Sequence, residues 1–578
     1  MDACSFCEIP NFATSPNHER EPIPMDSSKA QPQGTHSRRS FLKRSAMLMA
    51  AAPASTLLPL VETGRAQSTN SIFVVAETTT GKVQGMNLGG IKVFKGIPYG
   101  ASTGGKNRFM PPQKPSSWTG VRECFEFGQI SPQVMADTRA DYTQLIDWDI
   151  QPGGMGEDCL ALNVWTPAIK DGGKRPVLVC FHGGGFSIGS GAALGYSGDP
   201  LARFGNVVVV TVNHRLASFG YLHLADLGAP PEFAQAGVCG LMDLVASLQW
   251  VRENIENFGG DPNSVMIFGQ SGGGAKTSAL MGMPSAKGLF HRAGVQSGSL
   301  LKVMSRETAT ATAEKLLKQL GIDKTRVADI QKTSWEQLLE AQSALGSGVA
   351  SPFAPVLDGK VIPQNPFDPT ASTVSVDVPM IISTTLDEAA LALTNFDLDE
   401  AGLKTVASRM LGNKAGEVDR VLSLYRKTYP NASPYLIQAR IATDRGFRSN
   451  AYKQAERKAA LGKAPAYFYL FTWPCPGYNG KFGSVHGTDV QLVFHAYRGA
   501  IGGGGSDAKA LADKMAAMWV AFAKTGDPNT SAIPHWPVYD AQTRATMIFD
   551  SNTRVENDPR HEFRQLWEEL GTPGGPMG

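Results

Sequence analysis

The stretch Val265-Met-Ile-Phe-Gly-Gln-Ser-Gly-Gly-Gly-Ala-Lys-Thr-Ser-Ala-Leu280 reads as strand, tight turn and helix, with one hydroxyl at the apex. Val265 to Phe268 is an apolar run of the length a buried parallel strand needs, and the segment from Gly273 to Met283 is long enough for a helix packed back on the sheet. Gly269-Gln270-Ser271-Gly272-Gly273 matches G-x-S-x-G, in which the serine is held in a strained conformation with its oxygen aimed away from the sheet. Glycines two residues to either side are required because a Cβ there would collide across so sharp a turn. The helix that follows aims its free N–H groups at the serine. Such a turn presents a nucleophile. Two other readings compete. From Gly269 the pattern G-x-x-x-x-G is followed by Ala275-Lys276-Thr277, which puts the lysine out of register for a phosphate-binding loop and leaves that reading weak. The other is a glycine-rich loop with an incidental serine.

Outward from the elbow, apolar runs at Val177 to Phe181 and Val207 to Val212 precede it, and Val378 to Ile382, Ala466 to Phe471 and Thr546 to Phe549 follow. Short β-like runs near Ile72 to Ala76, Lys82 to Gln84 and Ile91 to Phe94 predict a meander leading into the sheet. Leu241, Leu244, Leu248, Val251, Ile255 and Phe258 recur at helical spacing, predicting an amphipathic helix between two strands. Alternation of this kind predicts an α/β fold, a mostly parallel central sheet with helices on both faces. Residues 305–350 and 400–462 are helical in pattern without comparable strand runs, and read as helical insertions forming a cap.

The 578 residues are 42% hydrophobic and 18% charged, which suits a globular chain with a substantial core, and the formal charge of +2 gives no reason to expect nucleic acid or an anionic membrane as partner. Residues 1–36 are polar and rich in Pro and Ser. Ser37-Arg38-Arg39-Ser40-Phe41-Leu42-Lys43 then sets paired arginines before an apolar run from Ala46 to Val61, a pattern like a twin-arginine export signal. That run is short and interrupted by Pro53 and Pro59, against a membrane span. Small residues at Gly64-Arg65-Ala66 predict cleavage after Ala66 and an exported, periplasmic or extracellular, mature chain at residues 67–578. Met25 is an alternative start, closer to the arginines. Cys4 and Cys7 fall in the leader, leaving five cysteines downstream and hence at least one unpaired; Cys180, inside an apolar run, reads as core packing.

His182-Gly183-Gly184-Gly185-Phe186 directly follows the run Val177 to Phe181. Attack on an ester carbonyl puts negative charge on its oxygen, and bare backbone N–H groups stabilise that charge where glycine leaves the approach open. Together with Glu157-Asp158-Cys159-Leu160-Ala161-Leu162-Asn163-Val164-Trp165, Val212-Asn213-His214-Arg215, Asn257-Phe258-Gly259-Gly260-Asp261-Pro262, the elbow, and Pro355-Val356-Leu357-Asp358-Gly359, the sequence resembles the type-B carboxylesterase family that includes the cholinesterases. The landmarks come in that family's order and span nearly all of residues 71–570. The resemblance implies an α/β-hydrolase fold and a serine esterase acting on a small-molecule ester, with no metal or organic cofactor. It makes Ser271 the nucleophile, Glu388 the acid and His486 the base, with Gly184, Gly185 and Gly272 as oxyanion donors.

The fold's chain order, serine then acid then histidine, agrees with these choices. Of ten histidines only His486, His495, His535 and His561 follow Glu388, and only His486, in His-Gly-Thr-Asp-Val-Gln-Leu-Val-Phe, resembles the family's histidine loop. Asp387 adjoins Glu388, and an exchange of roles between them stays open. Gln270 and Gly272 stand where the family has glutamate and alanine, changes read as small because these positions act through backbone. Ser131 stands where a family cysteine pairs with the residue at 159, so that disulfide is expected to be absent. Arg108 with Glu157, and Arg215 with Asp243, resemble buried structural ion pairs, and Ser297 resembles a serine that helps orient the triad. The alternative function is a non-catalytic, cholinesterase-like adhesion protein, although such relatives typically lose the nucleophile. An imidazole base predicts activity that falls towards acid pH.

Overall fold

The computed structural model describes residues 71–135, 142, 153–348, 351–499 and 501–571, so the leader read at residues 1–66 lies outside the described residues. The chain enters through strands β1 (Phe73–Thr78), β2 (Gly81–Leu88) and β3 (Ile91–Pro98), with a short β4 (Val121–Glu123) beside β2. It continues through β5 (Ala161–Thr166), β6 (Arg175–Phe181), β7 (Val208–Val212), β8 (Gly260–Gln270) and β9 (Arg292–Gln296). The last four are β10 (Met380–Thr385), β11 (Ala466–Phe471), β12 (Ala545–Phe549) and β13 (Arg554–Asn557).

All belong to one sheet in the order β1-β2-β3-β5-β7-β6-β8-β9-β10-β11-β12-β13. From β7 through β12 every neighbouring pair is parallel, and the flanking pairs β1–β2, β2–β3, β3–β5, β5–β7 and β12–β13 are antiparallel. The parallel centre explains the uninterrupted apolar runs, since a strand covered by helices on both faces has no solvent side on which polar residues could alternate. Along β6, Val177, Val179 and Phe181 enter one hydrophobic core while Leu178 and Cys180 enter the other. Helices Cys239–Asn254 and Gly272–Leu280 pack in the first core, and the long helix Ser506–Thr525, through Met515, Trp519 and Phe522, fills the second.

One element departs from its sequence reading and another was not read at all. The helix at Cys239–Asn254 is buried on most of its circumference, Asp243, Ser247 and Asn254 included, rather than along one stripe. Strand β9 has the sequence Arg-Ala-Gly-Val-Gln, too short and glycine-broken to stand out; Gly294 is there because the Trp519 ring occupies the space a side chain would need, 2.6 Å from an added Cβ.

In the two helical segments, Arg306–Gln319 and Trp335–Ser343 form the first, and Glu400–Leu411, Val418–Thr428, Pro434–Thr443 and Ser449–Ala460 the second. The second has its own core, in which Leu403, Val421, Tyr425 and Ile437 meet Phe563 and Trp567 of the helix His561–Leu570. A buried charge relay joins it to the sheet. Asp444 is ion-paired with both Arg560 and Arg448, and Arg448 donates to Thr384 Oγ1 (2.6 Å) and to the carbonyls of Thr385 (2.9 Å) and Leu386 (3.2 Å), at the end of β10. No helix among the described residues is long and apolar enough to cross a membrane.

Candidate active site

Parallel register lines up Gln270, Gln296, Ser383 and Tyr469 across β8, β9, β10 and β11, so the loops leaving these strands emerge along one edge of the sheet. Crevices at the carboxyl ends of such strands are where open α/β sheets hold their ligands. Ser271 is the first residue past that row. Its φ of 58° and ψ of −126° are a strained combination for a residue with a side chain, and it is held there from both sides: its N–H donates to Gln296 O (2.8 Å) and its carbonyl accepts from Ala275 N (3.0 Å). The flanking glycines behave as the motif demands. A Cβ on Gly269 would lie 2.5 Å from Phe181 O, and one on Gly273 would overlap that same oxygen.

The strand-to-loop segment after β6 lies against the elbow. Gly184 and Gly185 have φ of 83° and 62°, and among the described residues neither N–H donates to a protein acceptor. A Cβ on Gly272 would overlap the Gly185 backbone. This corrects the sequence reading of position 272, where a methyl group was taken as a small change: in this chain the glycine loop closes onto the elbow too tightly to admit one.

Glu388 opens a 3-10 turn, Glu388–Ala392, just after β10 and is fully buried. Its Oε1 accepts from Thr385 N (2.7 Å) and its Oε2 from His486 Nδ1 (2.6 Å). A parallel bridge between Asp387 and Val485 draws the two loops together, reinforced by Asp387 N donating to Ser484 O (3.0 Å) and Ser484 N donating to Asp387 Oδ2 (2.9 Å). The other oxygen of Asp387 accepts from Arg440 Nε (2.7 Å). Both carboxylates are therefore engaged, and it is Glu388 that meets the imidazole. Tyr142 OH donates to the His486 carbonyl (2.9 Å), and the Phe447 ring lies 5.2 Å from the imidazole. Of the other late histidines, His495 bonds to Asp513 and His561 to Asp558, both away from Glu388.

One buried acid was missed in the sequence although it lies within the quoted histidine loop. Asp489 Oδ2 accepts from Tyr469 OH (2.6 Å) and from Gln296 Nε2 (3.0 Å), and Gln296 is the residue whose carbonyl holds the Ser271 N–H. Burial, aided by the nearby Glu388 charge, raises the Asp489 carboxyl to about 6 against the opposing pull of Tyr469, Gln296 and His486. Nothing local marks it out, because Thr488 and Gln491 make the segment polar around it and both partners lie on distant strands.

Ser297 is buried with a φ of 52°, but its hydroxyl has no hydrogen-bond partner among the described residues, so it orients nothing by direct contact. Both expected ion pairs are present: Arg108 with Glu157 at 2.6 Å, and Arg215 with Asp243 at 2.6 Å, nearly solvent-free. Cys124, Cys159, Cys180 and Cys239 are buried free thiols, as the serine at 131 implied for Cys159, and Cys475 is buried with its Sγ donating to Ile501 O (3.4 Å). Lys276 is fully buried and donates to His182 O (2.8 Å), so it is not a phosphate-loop lysine facing solvent.

Known proteins resemble this chain along most of its length. Residues 73–567 match the model of the carboxylesterase family. The para-nitrobenzyl esterase of Bacillus subtilis is 35% identical, over 85% of this chain and 98% of that protein; the phenmedipham hydrolase of Pseudarthrobacter oxydans is 31% identical, over 84% and 97%. The crystal structure of carboxylesterase EST55 from Geobacillus stearothermophilus superposes with a TM-score of 0.73 at 37% identity, covering 85% of this chain and 99% of that one. With the family model matched along nearly the whole fold and relatives covered over almost their full length, the chain belongs to the carboxylesterase family, as a carboxylic ester hydrolase of the α/β-hydrolase fold.

Proposed function

We propose that the protein hydrolyses carboxylic esters by two-step acyl transfer through Ser271, His486 and Glu388. The observation that carries this reading is the 2.6 Å bond between His486 Nδ1 and Glu388 Oε2, made on loops that leave the same sheet edge as the strained Ser271. With Nδ1 committed to the carboxylate, the ring's other nitrogen, Nε2, is free to act as base. It takes the Ser271 proton as Oγ bonds to the ester carbonyl carbon. The oxyanion that forms is held by the N–H groups of Gly184, Gly185 and Gly272, each contributing roughly 3 kcal/mol. On collapse the ester C–O bond breaks and the alcohol departs with the proton from His486. Water then attacks the acyl-serine by the same route, releasing the acid and restoring Ser271. Glu388 holds the imidazole tautomer and stabilises its cation.

The names of the relatives suggest aromatic esters as first substrates. The decisive experiment is hydrolysis of p-nitrophenyl acetate by the purified chain beside Ser271→Ala and His486→Ala. Turnover by the parent that both variants lack is the expected result, and equal rates for parent and Ser271→Ala would overturn the mechanism. We also propose that residues 1–66 direct twin-arginine export. N-terminal sequencing of secreted protein should begin at Gln67, and secretion that survives Arg38→Lys/Arg39→Lys would refute it.

A further inference from the structure

Lys276 lies one turn beyond Gly273 on the helix Gly272–Leu280, on the side that meets the end of β6, and is completely buried. Its Nζ donates to His182 O at 2.8 Å, and among the described residues no carboxylate pairs with it. The peptide it grips is held at the other end too: the Gly183 N–H donates to the buried Tyr196 hydroxyl at 2.9 Å. The next two residues, Gly184 and Gly185, are the bare left-handed pair of the glycine loop.

A lone cation is an expensive way to hold a carbonyl. Burial lowers the Lys276 ammonium from 10.5 to about 7. The titratable groups around it are Cys180 on β6, His182, His214, whose ring stacks on that of His182 at 4.9 Å, and Tyr196. Burial pushes the thiol and the phenol up and both imidazoles down, the imidazoles further lowered by Lys276 itself. All four are neutral near pH 7, so none offsets the lysine. A neutral donor such as glutamine could satisfy the His182 carbonyl without placing a charge in the interior, whereas an apolar side chain would leave that carbonyl unpaired at about 1–3 kcal/mol. Stability therefore does not explain a lysine here.

We propose that Lys276 is a positioning residue for acyl transfer: its ammonium clamps the His182 carbonyl, fixes the glycine loop against the elbow, and sets a positive charge beside the place where the oxyanion forms. This rests on Gly184 and Gly185 being the oxyanion donors. The clamp acts on the transition state, whose negative charge the substrate lacks, so it governs kcat more than KM. The ammonium is present below about pH 7 and lost above it. A neutral amine still donates to His182 O, but without the charge, so kcat declines on the alkaline side.

The test is kcat and KM for p-nitrophenyl acetate between pH 6 and 9 for the parent, Lys276→Met and Lys276→Gln, with melting temperature recorded separately. Lys276→Met is expected to lose about tenfold in kcat with KM within about twofold, and to lack the alkaline decline, measured below its own melting temperature. Lys276→Gln, a neutral donor, should fall between them. A kcat within about twofold of the parent and an unchanged pH profile would overturn the proposal, and if the methionine variant does not fold, the glutamine variant decides by the same two criteria. Ser271→Ala in the same assay separates the two readings: a dead Ser271→Ala beside an unaffected Lys276→Met refutes the clamp alone, whereas a fully active Ser271→Ala refutes the acyl-transfer reading and the clamp with it.

Discussion

Replacing Glu388 with glutamine exchanges one carboxylate oxygen for an NH2 group while leaving the shape of the side chain unchanged. The site decides which oxygen survives. Thr385 N–H donates to Oε1 at 2.7 Å and can only donate, so the amide oxygen must stay there. The NH2 group then faces His486 Nδ1, where Oε2 stood at 2.6 Å. A donor on that side forces Nδ1 to accept and moves the ring proton to Nε2, the nitrogen proposed to receive the Ser271 proton. The base is blocked although every heavy atom is in place. The opposite amide orientation returns an acceptor to Nδ1–H but sets NH2 against Thr385 N–H in a site with no solvent, costing about 1–3 kcal/mol, and still lacks the negative charge that stabilises the imidazolium. Amidating the orienting acid of a serine–histidine–acid triad lowers kcat by about 10⁴, or about 5 kcal/mol. Initial rates with p-nitrophenyl acetate, beside circular-dichroism melting curves, measure the effect. Asp387→Asn is the control, because Asp387 is committed to Arg440 and Ser484 N and should weaken the fold more than the chemistry. If Asp387→Asn abolishes turnover while Glu388→Gln keeps more than about a tenth of kcat, a number far above the loss argued here, the acid has been assigned to the wrong residue.

Asp243→Ala should cost about 3–5 kcal/mol in urea unfolding, because Arg215, 1% exposed, would keep its charge with only the Met110 carbonyl at hand; a loss below about 1 kcal/mol would show that the pair is not what secures the loop after β7. Asp489 makes a pH prediction. Its folded value, about 6, lies above the ordinary 3.8, so between these values the folded chain binds more protons than the unfolded one. The stability this contributes is full below about pH 4 and is lost as pH rises through about 6, some 3 kcal/mol in all. Asp489→Asn can keep both acceptor contacts of Oδ2 and removes the titration, so it should gain on the parent between pH 4 and 7; a difference independent of pH would sink the argument.

The parts of the site that were legible in the sequence are those where backbone geometry restricts residue choice. Gly269 and Gly273 are fixed by the Phe181 carbonyl, and the bare run Gly184-Gly185 by its left-handed turns. The fully apolar centre strands announced themselves for the same kind of reason. What was not legible depends on partners distant in sequence. Strand β9 hid because its glycine is complemented by Trp519, over two hundred positions later. Lys276 entered the sequence reading only as a lysine out of register for phosphate, since nothing local says that its stem runs inward to His182. Asp489 carries no local mark of its links to Tyr469 and Gln296. Which of Asp387 and Glu388 faces His486 was likewise not legible, because it turns on contacts with His486, Arg440 and Ser484, all distant in sequence.

The relay from Arg560 through Asp444 and Arg448 to the carbonyls at 385 and 386 has a consequence for biosynthesis. The segment that carries Glu388 draws part of its support, through Asp444, from the guanidinium of Arg560, 172 positions further along the chain (560 − 388). A nascent polypeptide still lacking that arginine can own every group that touches the ester and remain idle. Products that stop before Arg560 should therefore be hydrolytically silent, which an esterase assay on a chain truncated ahead of that residue would check.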